Sequence, residues 1–345
     1  MPQDYRFSFG PWNIHEGADP FGPPVRAPIP FHEKLPLYQE LGFEGVQFHD
    51  DDAVPDLNDL TAAQIADQAK EVKTMLDDHG LVTELVAPRL WEDPRTIDGA
   101  YTSNDPDSRA FARERSHITI DIANILDTDL IVLWLAREGT YIREAKDSTK
   151  AVDQLVEAIN DMLAYDPNIR IAIEPKPNEP MDQSYIPTTG HALALAYMTD
   201  DPERLGVNIE SAHAILAGLD PADEMGFALA RHKLFTVHLN DQNGPKYDQD
   251  KAFGSVNLRR AFNQVAVLER NGYGQNGEFI GLDVKAMRTQ KAEVATKHLR
   301  NSRATFLRLV ELVRSLNDVA VQECIARRDY EELDALILNH LLGVS

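Results

Sequence analysis

The chain has 345 residues, enough for two domains or for one α/β barrel. With 43% hydrophobic residues it has ample material for a large core, which excludes a disordered or fibrous chain. A formal net charge of −22 repels phosphate backbones and anionic lipid, so nucleic acid and membrane surfaces are poor partners, while divalent cations and a neutral substrate suit it.

Along the chain, short apolar runs alternate with longer amphipathic ones, at the size of a βα unit. The first strand is expected over Arg6–Gly10, followed by a Pro/Gly-rich loop, Asp19–Pro30, too long for a mere turn. Strands follow over Gly45–Phe48, Val82–Ala87, Leu130–Leu135, Arg170–Ile173, Gly206–Ile209, Leu234–Leu239 and Phe279–Val284. Helical patterns between them include Ala62–Asp78, Asp107–Leu126, Lys150–Ala164, Leu258–Arg270 and Lys291–Leu316. Eight such pairs describe a (β/α)8 TIM barrel over residues 1–316. Residues 317–345 read as a C-terminal tail, helical over Tyr330–Leu342, packing on its own barrel or on a neighbouring subunit. The longest apolar run, Leu130–Ala136, is a strand's length and far short of a membrane span. Cys324 is the single cysteine and cannot form an internal disulfide, and MPQDYRFSFG has no basic stretch followed by an apolar one. Both fit a cytoplasmic protein.

The unusual residues fall at or just past the C-terminal ends of the expected strands. In chain order these are Trp12, then His49 and Asp52, Trp91, Trp134, Glu174 with Lys176, and Glu210 with His213. His238, Asp248 and Asp250 follow the seventh strand, and Asp283 and Lys285 the eighth. In a barrel these ends converge on one face, where such folds place chemistry. Glu174, Glu210, Asp248, Asp250 and Asp283 would crowd five acids into one cleft, so either most hold protons or cations sit among them. Carboxylates with one or two imidazoles suit Mg2+, Mn2+ or Co2+, and this many ligands favours two ions sharing one carboxylate. Taken singly the residues have plainer readings. KYDQD would be a surface loop, His213 and His238 hydrogen-bonded structural histidines, Trp134 core. Asp50 and Asp51 are expected to form a solvated turn capping a helix. Their joint occurrence at eight strand ends is what favours a metal site.

The same residues resemble the D-xylose isomerase family, in particular its shorter, actinomycete-type class, over roughly residues 6 to 316. The resemblance is carried by DPFG at Asp19–Gly22, FHDDD at Phe48–Asp52, REG at Arg137–Gly139 and IEPKPNEP at Ile173–Pro180. It continues through VN-E--H from Val207 to His213, LF---LN-Q from Leu234 to Gln242, KYDQD at Lys246–Asp250 and D-K--RT from Asp283 to Thr289. It implies an aldose–ketose isomerase using two divalent cations. Glu174, Glu210 and Asp283 would hold the first, and Glu210 would bridge to a second held by His213, Asp248 and Asp250. His49, oriented by Asp52, would assist ring opening, and Lys176 would donate to the oxygen on carbon 1. Asp250 would lie near a water that takes the hydroxyl proton. Trp12 and Trp134 would wall the sugar, with Trp91 where the family usually has phenylalanine. Lys285 belongs to the same substrate-binding face. Phe21 would reach a neighbouring subunit's site in a homodimer or homotetramer.

Two features depart from the family pattern. His238 stands where the family has an aspartate ligand, which removes a negative charge and moves preference from Mg2+ toward Mn2+ or Co2+. Rhamnose isomerases and ketose 3-epimerases of the same superfamily use histidine there, so an isomerase or epimerase of another sugar is the alternative. The tail is also shorter, although it still ends Asn339-His-Leu-Leu-Gly. A barrel that has lost catalysis is disfavoured by Lys176 and His49 standing beside a full ligand set. A three-metal nuclease is disfavoured by the charge and the missing basic groove.

Overall fold

A computed structural model describes residues 5–344. Eight parallel strands close into a barrel: β1 Arg6–Phe9, β2 Gly45–His49, β3 Val82–Ala87, β4 Leu130–Trp134, β5 Arg170–Glu174, β6 Leu205–Glu210, β7 Leu234–Leu239 and β8 Phe279–Leu282. Each neighbours the next in sequence, and β1 closes the ring by pairing with β8 from Arg6↔Phe279 to Phe9↔Leu282. The TIM barrel expected from the strand pattern is therefore the fold. The eight main outer helices are α1 Phe31–Leu41, α2 Ala62–Asp78, α3 Pro106–Ile125, α4 Ser148–Tyr165, α5 Thr189–Ala196, α6 Pro221–Leu229, α7 Leu258–Arg270 and α8 Lys297–Ser315.

Local chemistry sets the helix starts. Thr61 and Gln64 form a capping box on α2, while Asp105, Asp147 and Asn257 accept backbone N–H bonds at the starts of α3, α4 and α7. The helix expected over Lys291–Leu316 begins later, at Lys297, because Ala292–Val294 forms a separate 3-10 turn. The main core fills the space between strands and helices. There Phe9 stacks on Tyr38 at 3.8 Å, and Phe306 meets Phe7 and Tyr5 edge-on at 5.6 and 5.0 Å. Burying one such ring contributes about 1.5–3 kcal/mol. A smaller cluster of Leu85, Ala87, Leu130, Val132 and Ala172 fills the barrel itself.

Two irregularities in register position the interior. Val46 pairs with Thr83 but Gln47 with Leu85, which leaves Glu84 as the extra residue of a bulge. Glu84 is turned into the barrel, where it accepts from Gln47 Nε2 at 3.0 Å, from Thr236 Oγ1 at 2.6 Å, and from the Ser8 hydroxyl. Likewise Val207 pairs with Leu234 but Asn208 with Thr236, so Phe235 is extra and His238 comes level with Glu210.

The tail forms two helices, α9 Asp318–Arg327 and α10 Tyr330–Leu342; only the second was expected. Both lie against their own barrel. Leu333, Leu336, Ile337 and Leu341 pack on the core, and His340 Nε2 bonds the Leu312 carbonyl of α8 at 2.7 Å. Among the described residues, no helix is long and apolar enough to cross a membrane.

Candidate metal centre and sugar cleft

Strand geometry explains why the polar residues meet. Side chains alternate across a strand, and in a closed barrel alternate positions face inward. The last inward positions of β2, β4, β5, β6 and β7 are His49, Trp134, Glu174, Glu210 and His238, and Asp283 follows β8 directly. These residues line one cavity of about 460 Å3 together with Trp12, Trp91, Lys176, His213, Asp248, Asp250 and Lys285. Of the residues singled out from sequence, Asp52 and Phe21 do not line it. Asp52 sits directly behind His49, and Phe21 is 80% exposed on the Asp19–Gly22 hairpin, edge-on to Tyr247 at 5.4 Å.

Glu210 is the hub. It belongs to three sets whose potential ligand atoms lie within 4.8 Å of one another: with Glu174 and His213, with His238 and Asp283, and with Asp248 and Asp250. Burial and the nearby Asp248, Asp250 and Glu174 charges push its carboxyl well above the usual range. Burial and Asp248 push Asp250 up as well. Burial would also raise Glu174, but His238 and His213 beside it bring it down to about 2. Conversely, burial lowers His238 while Glu174 overrides it, to about 9.

Two of the carboxylates already have cations. Lys176 Nζ stands 2.9 Å from Asp248, and Lys285 pairs with Asp250. Several buried ligand atoms have no hydrogen bond: Nδ1 and Nε2 of His238, Nδ1 of His213 and Oδ1 of Asp248. The two Nδ1 atoms are 3.3 and 3.4 Å from Glu174 oxygens, within ion-pair reach but without hydrogen-bond geometry. Buried polar atoms left open cost about 1–3 kcal/mol each. Lone-pair donors of oxygen and imidazole type, converging on shared Glu210, fit a pair of hard or borderline divalent cations.

The KYDQD segment is no free surface loop. Gln242 Nε2 bonds the carbonyls of Gly244 and Tyr247, its Oε1 accepts from Gln249 N, and Glu179 Oε2 accepts from Asp248 N at 3.0 Å. Asp250 is left 2% exposed.

Three tryptophans and His49 wall the other side. Trp12 lies over His49 at 4.1 Å, His49 meets Trp91 at 5.1 Å, and Trp91 meets Trp134 at 4.4 Å. Trp12 Nε1 donates to Asp283 at 2.9 Å, which ties wall to acid cluster. The His49 ring nitrogen Nδ1 is 2.8 Å from Asp52, whose carboxyl is held at about 2 because its bonds and charge contacts with His49 and Arg89 outweigh burial.

One expectation is corrected. Asp50 is no solvated cap: it is fully buried, gripped by Arg115 Nε at 2.5 Å and Nη2 at 2.8 Å, and by Thr119 at 3.0 Å. Asp51 is partly buried and pairs with Arg89 Nε at 2.9 Å. The turn is tucked against α3, whose buried Arg115 requires a carboxylate.

Other contributors were not singled out as site residues from the sequence. Asn240 Nδ2 reaches Glu210 at 2.8 Å and Asp250 at 3.2 Å, and its Oδ1 accepts from Ala212 N. Asn208 donates to Glu174 at 2.7 Å and Asn13 to Asp283 at 2.8 Å. An amide two residues from an expected ligand, Asn240 from His238 and Asn208 from Glu210, is the signal that would have found the first two.

Comparison with known proteins agrees with this architecture. A family model described as a xylose isomerase-like TIM barrel matches residues 35–305. The chain belongs to that family. It is 39% identical to the xylose isomerase of Thermus thermophilus over 333 residues, covering 94% of this chain and 84% of that one. It is 37% identical to the xylose isomerase of Thermus caldophilus, covering 97% and 87%. Among solved structures, a D-tagatose 3-epimerase-like protein superposes with a TM-score of 0.64 at 15% identity, covering 90% of this chain and 98% of its own. An L-ribulose 3-epimerase gives 0.63 at 14%, covering 92% and 98%; at such identities the likeness is one of fold.

Proposed function

We propose that this sugar isomerase interconverts an aldose and its ketose, with D-xylose and D-xylulose as the leading pair and D-glucose as a slower substrate. The observation that carries this reading is the set of ligand groups sharing Glu210 at the floor of a tryptophan-walled cleft, with His49 and Lys176 on its sides. Glu174, Glu210, His238 and Asp283 would hold one cation, and Glu210, His213, Asp248 and Asp250 the other. When bound, the cations supply Lewis acidity toward two sugar oxygens and lower the pKa of a water.

The chain's own groups do the rest. His49, steadied by Asp52, exchanges a proton with the ring oxygen and the hydroxyl on carbon 1 as the sugar opens. Lys176, aimed by Asp248, donates to the oxygen on carbon 1 and stabilises the charge that develops there. The carbon 2 hydrogen then passes with its bonding electrons to carbon 1. The hydroxyl on carbon 2 loses its proton, and the oxygen on carbon 1 gains one. Asp250, bonded to Lys285, would lie near the water that takes the departing proton. Trp12, Trp91 and Trp134 exclude water, which favours direct transfer over exchange through an enediol. Phe21, exposed on its hairpin, would complete the cleft of a neighbouring subunit in a homodimer or homotetramer.

A second reading, epimerisation of a ketose or isomerisation of another sugar, is favoured by His238 in place of a carboxylate. The test is metal-free protein with D-xylose deuterated at carbon 2, supplied separately with Mg2+, Mn2+ or Co2+. Label recovered on carbon 1 of xylulose supports hydride transfer, and washed-out label points to proton transfer. No turnover of any pentose removes the leading reading and leaves the second.

A further inference from the structure

Arg89 follows β3 and lines the cleft, yet no motif singles it out. Its guanidinium spans one corner of the site. Nε lies 2.9 Å from Asp51, Nη2 donates to Asp52 Oδ1 at 2.9 Å, and Nη1 is 3.8 Å from Glu92. The same Nη2 is 2.6 Å from Nδ1 of His49, the atom that also meets Asp52 Oδ2 at 2.8 Å. Two opposite partners therefore share one ring nitrogen. The carboxylate only accepts, and draws a proton onto Nδ1; the guanidinium only donates, and its charge opposes a second proton on the ring.

The base of Arg89 is fixed with equal care. Its backbone N–H donates to Asp50 Oδ1 at 3.0 Å, and Asp50 is the carboxylate gripped by Arg115 on α3. A chain of ion pairs and one backbone hydrogen bond thus runs from an outer helix to the ring at the barrel mouth. The other groups around His49 do not duplicate this. Trp12 and Trp91 present rings, and Lys34 on α1 gives its ammonium to the Pro11 carbonyl at 2.8 Å. Asp51 is pushed up to about 6 by burial and by Asp50.

We propose that Arg89 is a positioning residue. It offsets the charge of Asp52 and locks that carboxylate against Nδ1, so that His49 offers Nε2 to the cleft. This rests on the proposed role of His49 in opening the sugar ring.

The test compares Arg89→Gln and Arg89→Lys in metal-loaded protein, using kcat and KM on D-xylose across pH and 15N shifts of the histidine rings, with His49→Gln to assign them. For Arg89→Gln, kcat should fall roughly 10- to 100-fold with KM within about twofold. The acid limb of the pH profile should move up by about one unit. The His49 ring shifts should move toward the doubly protonated pattern at neutral pH. Arg89→Lys keeps the charge without the planar fork, so it should hold the acid limb and recover only part of kcat. An unmoved acid limb and unmoved ring shifts in Arg89→Gln would overturn the proposal, as would equal losses in both variants with neither limb displaced. Should the wild-type protein turn over no pentose, the ring shifts still decide the role of Arg89, separately from the proposed sugar.

Discussion

The barrel buries carboxylates at two levels and treats them in opposite ways. In the layer below the site, Glu84 is met by neutral donors from three other strands, Ser8, Gln47 and Thr236. At the mouth, Glu174, Glu210, Asp248, Asp250 and Asp283 converge, and nearby imidazole and carboxylate atoms remain open. A buried anion with complete neutral hydrogen bonding needs nothing further, whereas a buried cluster with open lone pairs is arranged for cations. On the proposed two-cation reading, the difference separates a structural acid from a binding one within a single barrel.

Substitutions should sharpen that contrast. Glu210→Ala, which removes the shared ligand, should lower kcat/KM by roughly three orders of magnitude, about 4 kcal/mol at the transition state. Steady-state kinetics with saturating Mn2+ checks this. Loading metal-free protein with Mn2+ at about 100 times its Kd should add about 2.7 kcal/mol to unfolding stability for each ion bound, read by denaturant titration, and Glu210→Ala should lose that gain.

A similar magnitude is expected from His298, which bonds the Asn13 carbonyl at 2.8 Å behind the site. Burial pushes it down to about 4. The unfolded chain takes up this proton below about 6.5 and the folded chain does not, so stability should fall as pH drops from 6.5 toward 4, by on the order of 2–3 kcal/mol. His298→Gln should flatten that part of the profile relative to wild type, and should change nothing above pH 6.5.

The smallest effect belongs to the lower layer. Glu84→Gln puts an amide donor among donors and should cost about 1–3 kcal/mol of stability while leaving Mn2+ affinity unaltered. Weakened metal binding in that variant would erase the distinction between the two levels.

Much of this was legible in the chain. Eight apolar runs gave the barrel, because a strand buried on both faces leaves a continuous apolar signature. Strand ends gave the cleft residues, because period two carries the last inward side chain to the mouth. What stayed hidden depends on register and on partners distant in sequence. Glu84 turns inward through a bulge that no local pattern announces. Asp50 looked like a solvent-facing cap because its partner Arg115 lies 65 positions away. Arg89 and Asn240 act through contacts with other loops.

The most direct test counts ions. Metal-free protein titrated calorimetrically with Mn2+ should bind two per chain, and Glu210→Ala should lose both with its fold intact by circular dichroism. Binding of no ion, with the mouth acids satisfied by Lys176, Lys285 and the histidines alone, would contradict the two-cation centre on which the proposed sugar chemistry stands.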